Sequence, residues 1–234
     1  MSCVTNLVKS RLGHSLKALL LAPVARNLIS FHMDPIERMV RRTPELKSCA
    51  ESVRLAYNAL LTCFRDGNKL LLCGNGGSCA DCDHIAGELV KSFYRDRPLD
   101  SELIEKLGPE LAANLHGSLP AIPLASFTAF HTAFANDDHP EYSFAQQVVG
   151  LGNTGDALLA ISTSGNSKNI LHAAKTAHAM GLQVIGLTGE SGGELAPLCD
   201  VAVCAPETDV ARIQELHLQI YHAFCEMIEE AMFG

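Results

Sequence analysis

Between about residues 44 and 66 the apolar positions Leu46, Cys49, Val53, Leu55, Ala56, Ala59, Leu60 and Cys63 recur at helical spacing, and Gly67 and Asn68 end the pattern. The period then changes. Compact apolar runs follow at 69–73, 121–125, 157–162 and 184–187, each bounded by Gly, Pro, Asp or Ser, with a shorter fifth at 201–205. Runs that are apolar without alternation suit strands covered on both faces, as in a parallel sheet. Helical patterns lie between them at about 78–94, 142–150 and 167–180, and a long one closes the chain at about 207–231. This alternation predicts an α/β domain: a doubly wound parallel five-stranded sheet with helices on both faces.

A helical N-terminal segment precedes the sheet, since Asp34 can N-cap a helix with Pro35 at its first position. In the closing helix Ile213, Leu216, Leu218, Ile220, Tyr221, Ala223, Phe224, Met227, Ile228 and Ala231 exceed one apolar stripe. That surplus predicts a second face meeting another subunit, with Phe224 at the contact.

Residues 1–32 form a separate stretch. The block 16–24 follows Lys9 and Arg11 like a weak leader, but Lys17 and Pro23 interrupt it, and it is too short to span a bilayer. The expectation is a loosely docked arm, dispensable for activity, followed by one domain at 33–234. Residues 97–120 look like an insertion in that domain, with a short helical middle at 101–107.

Composition narrows the class. The 234 residues suit one large domain plus an arm. Eighteen Lys+Arg against 26 Asp+Glu give a formal charge of −8, which argues against a nucleic-acid-coating surface. Small anions remain acceptable, because backbone N–H groups at helix ends can hold them. Nine cysteines without a framework of spacings read as reduced thiols in a cytoplasmic protein, and no membrane partner is expected.

Ligands of such a sheet bind outside the carboxyl ends of its strands. One loop there is Gly74-Asn75-Gly76-Gly77-Ser78, whose glycines permit close backbone approach and whose Ser78 can cap the next helix. It matches neither a dinucleotide fingerprint nor a Walker loop, and a plain strand–helix turn explains it equally well. The second loop, Ser162-Thr163-Ser164-Gly165-Asn166-Ser167, carries four hydroxyls in six residues, more than capping needs, and reads as a phosphate cradle. His84 and Glu88 share a helix face four residues apart, and Gln214 and His222 lie within about a quarter turn of one face. Imidazole plus carboxylate can hold zinc or divide acid and base work, and exposed helix residues explain both pairs as well.

Cys79 and Cys82 read as small residues in a first helical turn rather than a redox pair. Lys91, Arg95 and Arg97 read as a solvated helix end, and His217 as a residue of the last helix's polar face without a role.

Taken together, the segments 73–78, 84–89, 155–167, 187–195 and 211–217 resemble the sugar isomerase (SIS) domain family, and within it the bacterial phosphoheptose isomerases. The resemblance covers about residues 36–232 apart from the insertion. It implies a homotetramer with active sites between subunits. The implied reaction interconverts sedoheptulose 7-phosphate and D-glycero-D-manno-heptose 7-phosphate, supplying heptose for the lipopolysaccharide of the cell surface.

By motif, Asn75, Gly76, Gly77, Ser78, Ser162, Thr163, Ser164 and Ser167 would bind substrate and its phosphate, with Asp137 of the Ala135-Asn136-Asp137 segment and Gln214 as further contacts. His84, Glu88, Gln214 and His222 would form a zinc set in which Glu88 and His222 are the acid–base pair. Ala211 stands where the family commonly has Asp, which bears on the exact substrate. The Ala-Arg-Ile-Gln form at 211–214 also resembles a non-catalytic tetrameric branch that binds the replication initiator protein. A phosphosugar-sensing module is a third reading. Retention of His84, Glu88, Gln214 and His222 favours the enzyme.

Overall fold

Asp34 accepts hydrogen bonds from the Ile36 and Glu37 N–H groups and so starts α1 (Pro35–Arg42), as its sequence position implies. The computed structural model describes residues 33–234, so the expected arm lies outside the described residues. A 3-10 turn at Pro44–Cys49 leads into α2 (Ala50–Arg65), which ends where Gly67 adopts a positive φ of 77°. Along α2 the apolar face is buried as expected, except that Leu55 is 47% exposed.

The strands are β1 (Leu70–Gly74), β2 (Ala121–Pro123), β3 (Ala157–Ser162), β4 (Gln183–Thr188) and β5 (Val201–Cys204). All pairings are parallel and the order is β2-β1-β3-β4-β5, with Leu72 opposite Leu159 and Leu159 opposite Ile185. Between them run α3 (Gly77–Val90), α4 (Ser101–Ala112), α5 (Thr128–Asp137), α6 (Ser143–Leu151) and α7 (Lys168–Ala179), and α8 (Val210–Phe233) closes the chain. The doubly wound α/β architecture is therefore as read.

Side chains alternate across the strands and divide the core in two. Leu70, Leu72, Leu159 and Ile185 pack beneath α1, α2, α3 and α8. Leu71, Cys73, Leu158 and Val184 pack beneath α6 and α7.

Two expectations need correction. Phe224 is only 1% exposed and lies in the chain's own core, because α1, α2 and α3 cover the face of α8 that looked surplus. The apolar excess of α8 thus reflects three helical neighbours in one chain, and of that set Leu218 alone is exposed. The insertion's helix runs on to Ala112 across a break at Gly108 (φ 74°), and it has no buried residue. The helix α5, absent from the apolar pattern, also has none and packs beside α6 and the turn at Pro140–Tyr142.

Candidate active site

In the order β2-β1-β3-β4-β5 the chain reverses direction of winding between β1 and β3, and the crevice at that point is where ligands of open α/β sheets bind. The two loops singled out by sequence leave β1 and β3, so the topology sets them side by side. Asn75 and Asn169 tie them: each side-chain amide donates to the other's carbonyl oxygen at 2.9 Å. Asn169, in the first turn of α7, carries no motif of its own and was not among the residues expected there.

The glycine loop turns sharply at Gly76, with φ 57° and ψ −121°, a conformation that favours glycine. Gly76, rather than Ser78, occupies the N-cap of α3. Ser78 lies inside the first turn, buried, with its N–H donated to the Asn75 carbonyl. A Cβ at Gly77 would meet the Gln214 side-chain amide, so the bare backbone here leaves that amide its place over the start of α3.

In the serine loop, Ser162 is buried and its hydroxyl donates to Ser167 Oγ at 3.2 Å. Ser164 Oγ accepts from the Asn166 N–H at 3.1 Å. Gly165, at φ 66°, packs against the backbone of Gly192 and Gly193, where a side chain would clash. Thr163, Ser164 and Asn166 open onto a cavity of about 420 Å³ whose other walls include Glu190, Glu207 and Thr208. The two carboxylates share that cavity with the loop's hydroxyls and can accept hydrogen bonds from a sugar's hydroxyl groups.

Since α3 and α8 pack together, Gln214 lies over Gly77 and, about two turns further along both helices, His222 lies beside His84. His84 Nε2 is 3.4 Å from His222 Nε2 and 3.4 Å from Glu88 Oε1. Lys91 Nζ donates to the other Glu88 oxygen at 3.0 Å. Burial, and then the neighbouring His84, hold the His222 pKa below its ordinary value, so this imidazole is neutral and can accept a proton. Three of the four residues expected to act together thus converge. The amide of Gln214 lies instead at the glycine loop. Asp137 is at the end of α5, exposed, and accepts from the Asn136 amide at 2.8 Å. Ala211 is exposed in the first turn of α8.

The supposed solvated helix end differs in kind. Arg97 is 2% exposed: its Nε donates to Glu229 Oε1 at 2.8 Å, and its other nitrogens donate to the Leu89 and Glu88 carbonyls at 2.6 and 2.7 Å. Glu229, also buried, accepts the N–H groups of Phe93, Tyr94 and Arg95. The pair fixes the C-terminal end of α3, where Glu88 sits. Arg95 pairs with Glu230, and Lys91 with Glu88.

His217 is buried, not on a polar face. Its Nε2 donates to the Thr188 carbonyl at 3.0 Å, and burial presses its pKa down to about 4. Burial raises the thiol pKa of Cys79 and, far more, of Cys82, which disfavours the thiolate that a redox pair needs.

Comparison with known proteins agrees with the fold. The SIS domain model matches residues 34–189. A phosphoheptose isomerase of Burkholderia pseudomallei (strain K96243) is 42% identical over 183 residues, 78% of this chain and 83% of that protein. The solved phosphoheptose isomerases of Francisella tularensis and Neisseria gonorrhoeae superpose with TM-scores of 0.69 and 0.67. They are 33% and 34% identical, and each match covers 83% of this chain and 94% of the other. The chain belongs to the SIS domain family, among the phosphoheptose isomerases.

Proposed function

We propose that the protein is an aldose–ketose isomerase that converts sedoheptulose 7-phosphate to D-glycero-D-manno-heptose 7-phosphate, and so serves heptose and lipopolysaccharide synthesis. The observation that carries this reading is the convergence of Glu88 and His222 on His84, a carboxylate and a neutral imidazole held together by α3 and α8.

A ketose becomes an aldose when a proton leaves C1 and one arrives at C2. In this reading the Glu88 carboxylate takes the C1 proton, which leaves an enediolate charged at O2. Neutral His222 accepts the O1 proton and passes it to O2, and Glu88 returns its proton to C2, so the aldehyde forms at C1 and both side chains end as they began. Lys91 holds Glu88 Oε2 at 3.0 Å and so fixes the carboxylate's orientation. Ser162, Thr163, Ser164, Ser167 and Ser78 cradle the phosphate, Asn75 and the bare backbone of Gly76 and Gly77 allow its close approach, and Asp137 is kept as a substrate contact.

Zinc belongs to the same proposal. Two donors on a tetrahedral zinc with bonds of about 2.0–2.1 Å lie about 3.3–3.4 Å apart. His84 Nε2 has that separation from both His222 Nε2 and Glu88 Oε1. Among the described residues no three His, Cys, Asp or Glu side chains already close around one cation position, so the donor chemistry and pair spacings carry the fit. His84, Glu88 and His222 would hold the ion, and the Gln214 amide, at the glycine loop, is left to the substrate. When bound, zinc would polarise the substrate carbonyl as a Lewis acid.

A homotetramer remains part of the proposal. Its support is no longer α8 but α5, a helix without a buried residue, next to exposed Phe127. The free thiols among the described residues support a cytoplasmic setting, and no described helix is long and apolar enough to cross a membrane.

Incubating the zinc-supplied protein with ketose phosphates of five, six and seven carbons tests the reading. Conversion of the seven-carbon substrate well above the others is expected; conversion of none supports the adaptor or sensor readings.

A further inference from the structure

The Tyr221 hydroxyl lies between two polar side chains of α3, 3.2 Å from Asp81 Oδ1 and 2.9 Å from His84 Nδ1. The rest of the Tyr221 ring is buried in the core, which fixes where the oxygen points. A phenol carries one proton. Asp81 Oδ1 is a carboxylate acceptor, so that proton is donated to it, and a phenol lone pair then faces His84. The atom facing a lone pair at hydrogen-bond distance must itself carry hydrogen. With the phenol proton assigned to Asp81, His84 Nδ1 is the nitrogen that carries hydrogen and Nε2 bears the lone pair.

That lone pair points to the place where Glu88 Oε1 and His222 Nε2 both lie 3.4 Å away. The opposite tautomer would aim an N–H at this point and occupy it. A tyrosine phenol carries its proton at neutral pH, so it remains the donor to Asp81. Asp81 Oδ2 is buried without a hydrogen-bond partner, so the Tyr221 hydroxyl is the contact that holds this carboxylate in place.

We propose that Tyr221, anchored by Asp81, is a positioning residue that holds His84 in its Nδ1-protonated form and turns Nε2 toward Glu88 and His222. The proposal rests on the reading that His84, Glu88 and His222 form the working site. It assigns no proton transfer to Tyr221 itself. An outer hydrogen bond of this kind typically changes a site's metal affinity by about 10–100-fold.

The test uses ¹⁵N-labelled, metal-stripped full-length protein at about pH 8, with the His84 ring assigned by comparison with His84→Gln. Long-range ¹H–¹⁵N spectra should show Nδ1 protonated and Nε2 bare in the wild type. In Tyr221→Phe, which keeps the ring and loses only the oxygen, the Nε2-protonated form should grow in. Zinc affinity, from competition with a chelating dye, should fall about 10–100-fold. Nε2-protonated His84 in the wild type overturns the proposal whatever the variant does, and so does an unchanged tautomer in folded Tyr221→Phe. Because the spectrum is read without substrate or metal, failure of the isomerase reading would show separately, as inactivity of a protein whose His84 has the expected tautomer.

Discussion

The amides of Asn75 and Asn169 face each other across the crevice between β1 and β3, each donating to the other at 2.9 Å. One belongs to the glycine loop and the other to the helix that follows the serine loop. The pair sets the spacing of the two halves of the candidate phosphate cradle.

Asn169→Ala should therefore loosen the cradle more than the fold. The pair is exposed, and a neutral hydrogen bond is worth about 0.5–1.5 kcal/mol net, so KM for the phosphosugar should rise about two- to tenfold. Steady-state kinetics beside a melting curve checks this. A large drop in Tm with unchanged KM would show that the pair is structural only.

Ser164→Ala removes a hydroxyl that now caps the Asn166 N–H and that faces the cavity beside Thr163. A hydrogen bond to a charged phosphate is worth about 1.5–3 kcal/mol, so affinity for a phosphorylated ligand should fall about ten- to 150-fold. Calorimetry with equal affinity for both proteins would count against a cradle at this loop.

Arg97→Ala leaves the Glu229 charge buried without its cation, and removes two donors from the end of α3. Breaking a buried pair costs about 3–5 kcal/mol, which urea unfolding would register as a clearly lower midpoint. A midpoint within error of the wild type would mean that water replaces the guanidinium.

His217 gives a pH dependence of stability. Its folded pKa, about 4, lies below the ordinary 6.5, so the unfolded chain binds the extra proton between those values. The contribution is present in full above about 6.5 and is lost as pH falls towards 4, at up to about 1.4 kcal/mol per pH unit. Urea midpoints of His217→Gln should fall less steeply than those of the wild type across that window. Parallel curves would remove His217 as the source.

Elements built from continuous apolar runs were legible: β3 occupies the residues its run marks, and Asp34 caps α1. What escaped depends on partners far away in sequence. Arg97 looked solvated because its counter-charge, Glu229, lies 132 residues on. His217 looked polar-faced because the carbonyl that accepts from it belongs to Thr188 at the end of β4. Phe224 looked like a subunit contact because periodicity counts apolar positions without showing how many helices of the same chain cover them. In the site, His84 and Glu88 share a helix and could be paired from spacing, whereas the arrival of His222 needed α8 to pack along α3. Asn169, a lone amide in a helix's first turn, carried no signal.

The central claim is that Glu88 moves the proton between C1 and C2. The most direct measurement follows sedoheptulose 7-phosphate by NMR in D₂O with wild type and with Glu88→Gln, which keeps the side chain's shape and removes the base. An aldose product is expected from the wild type, and a loss of about 10²–10⁴-fold or more in the folded variant. Turnover by Glu88→Gln at a near wild-type rate would contradict it.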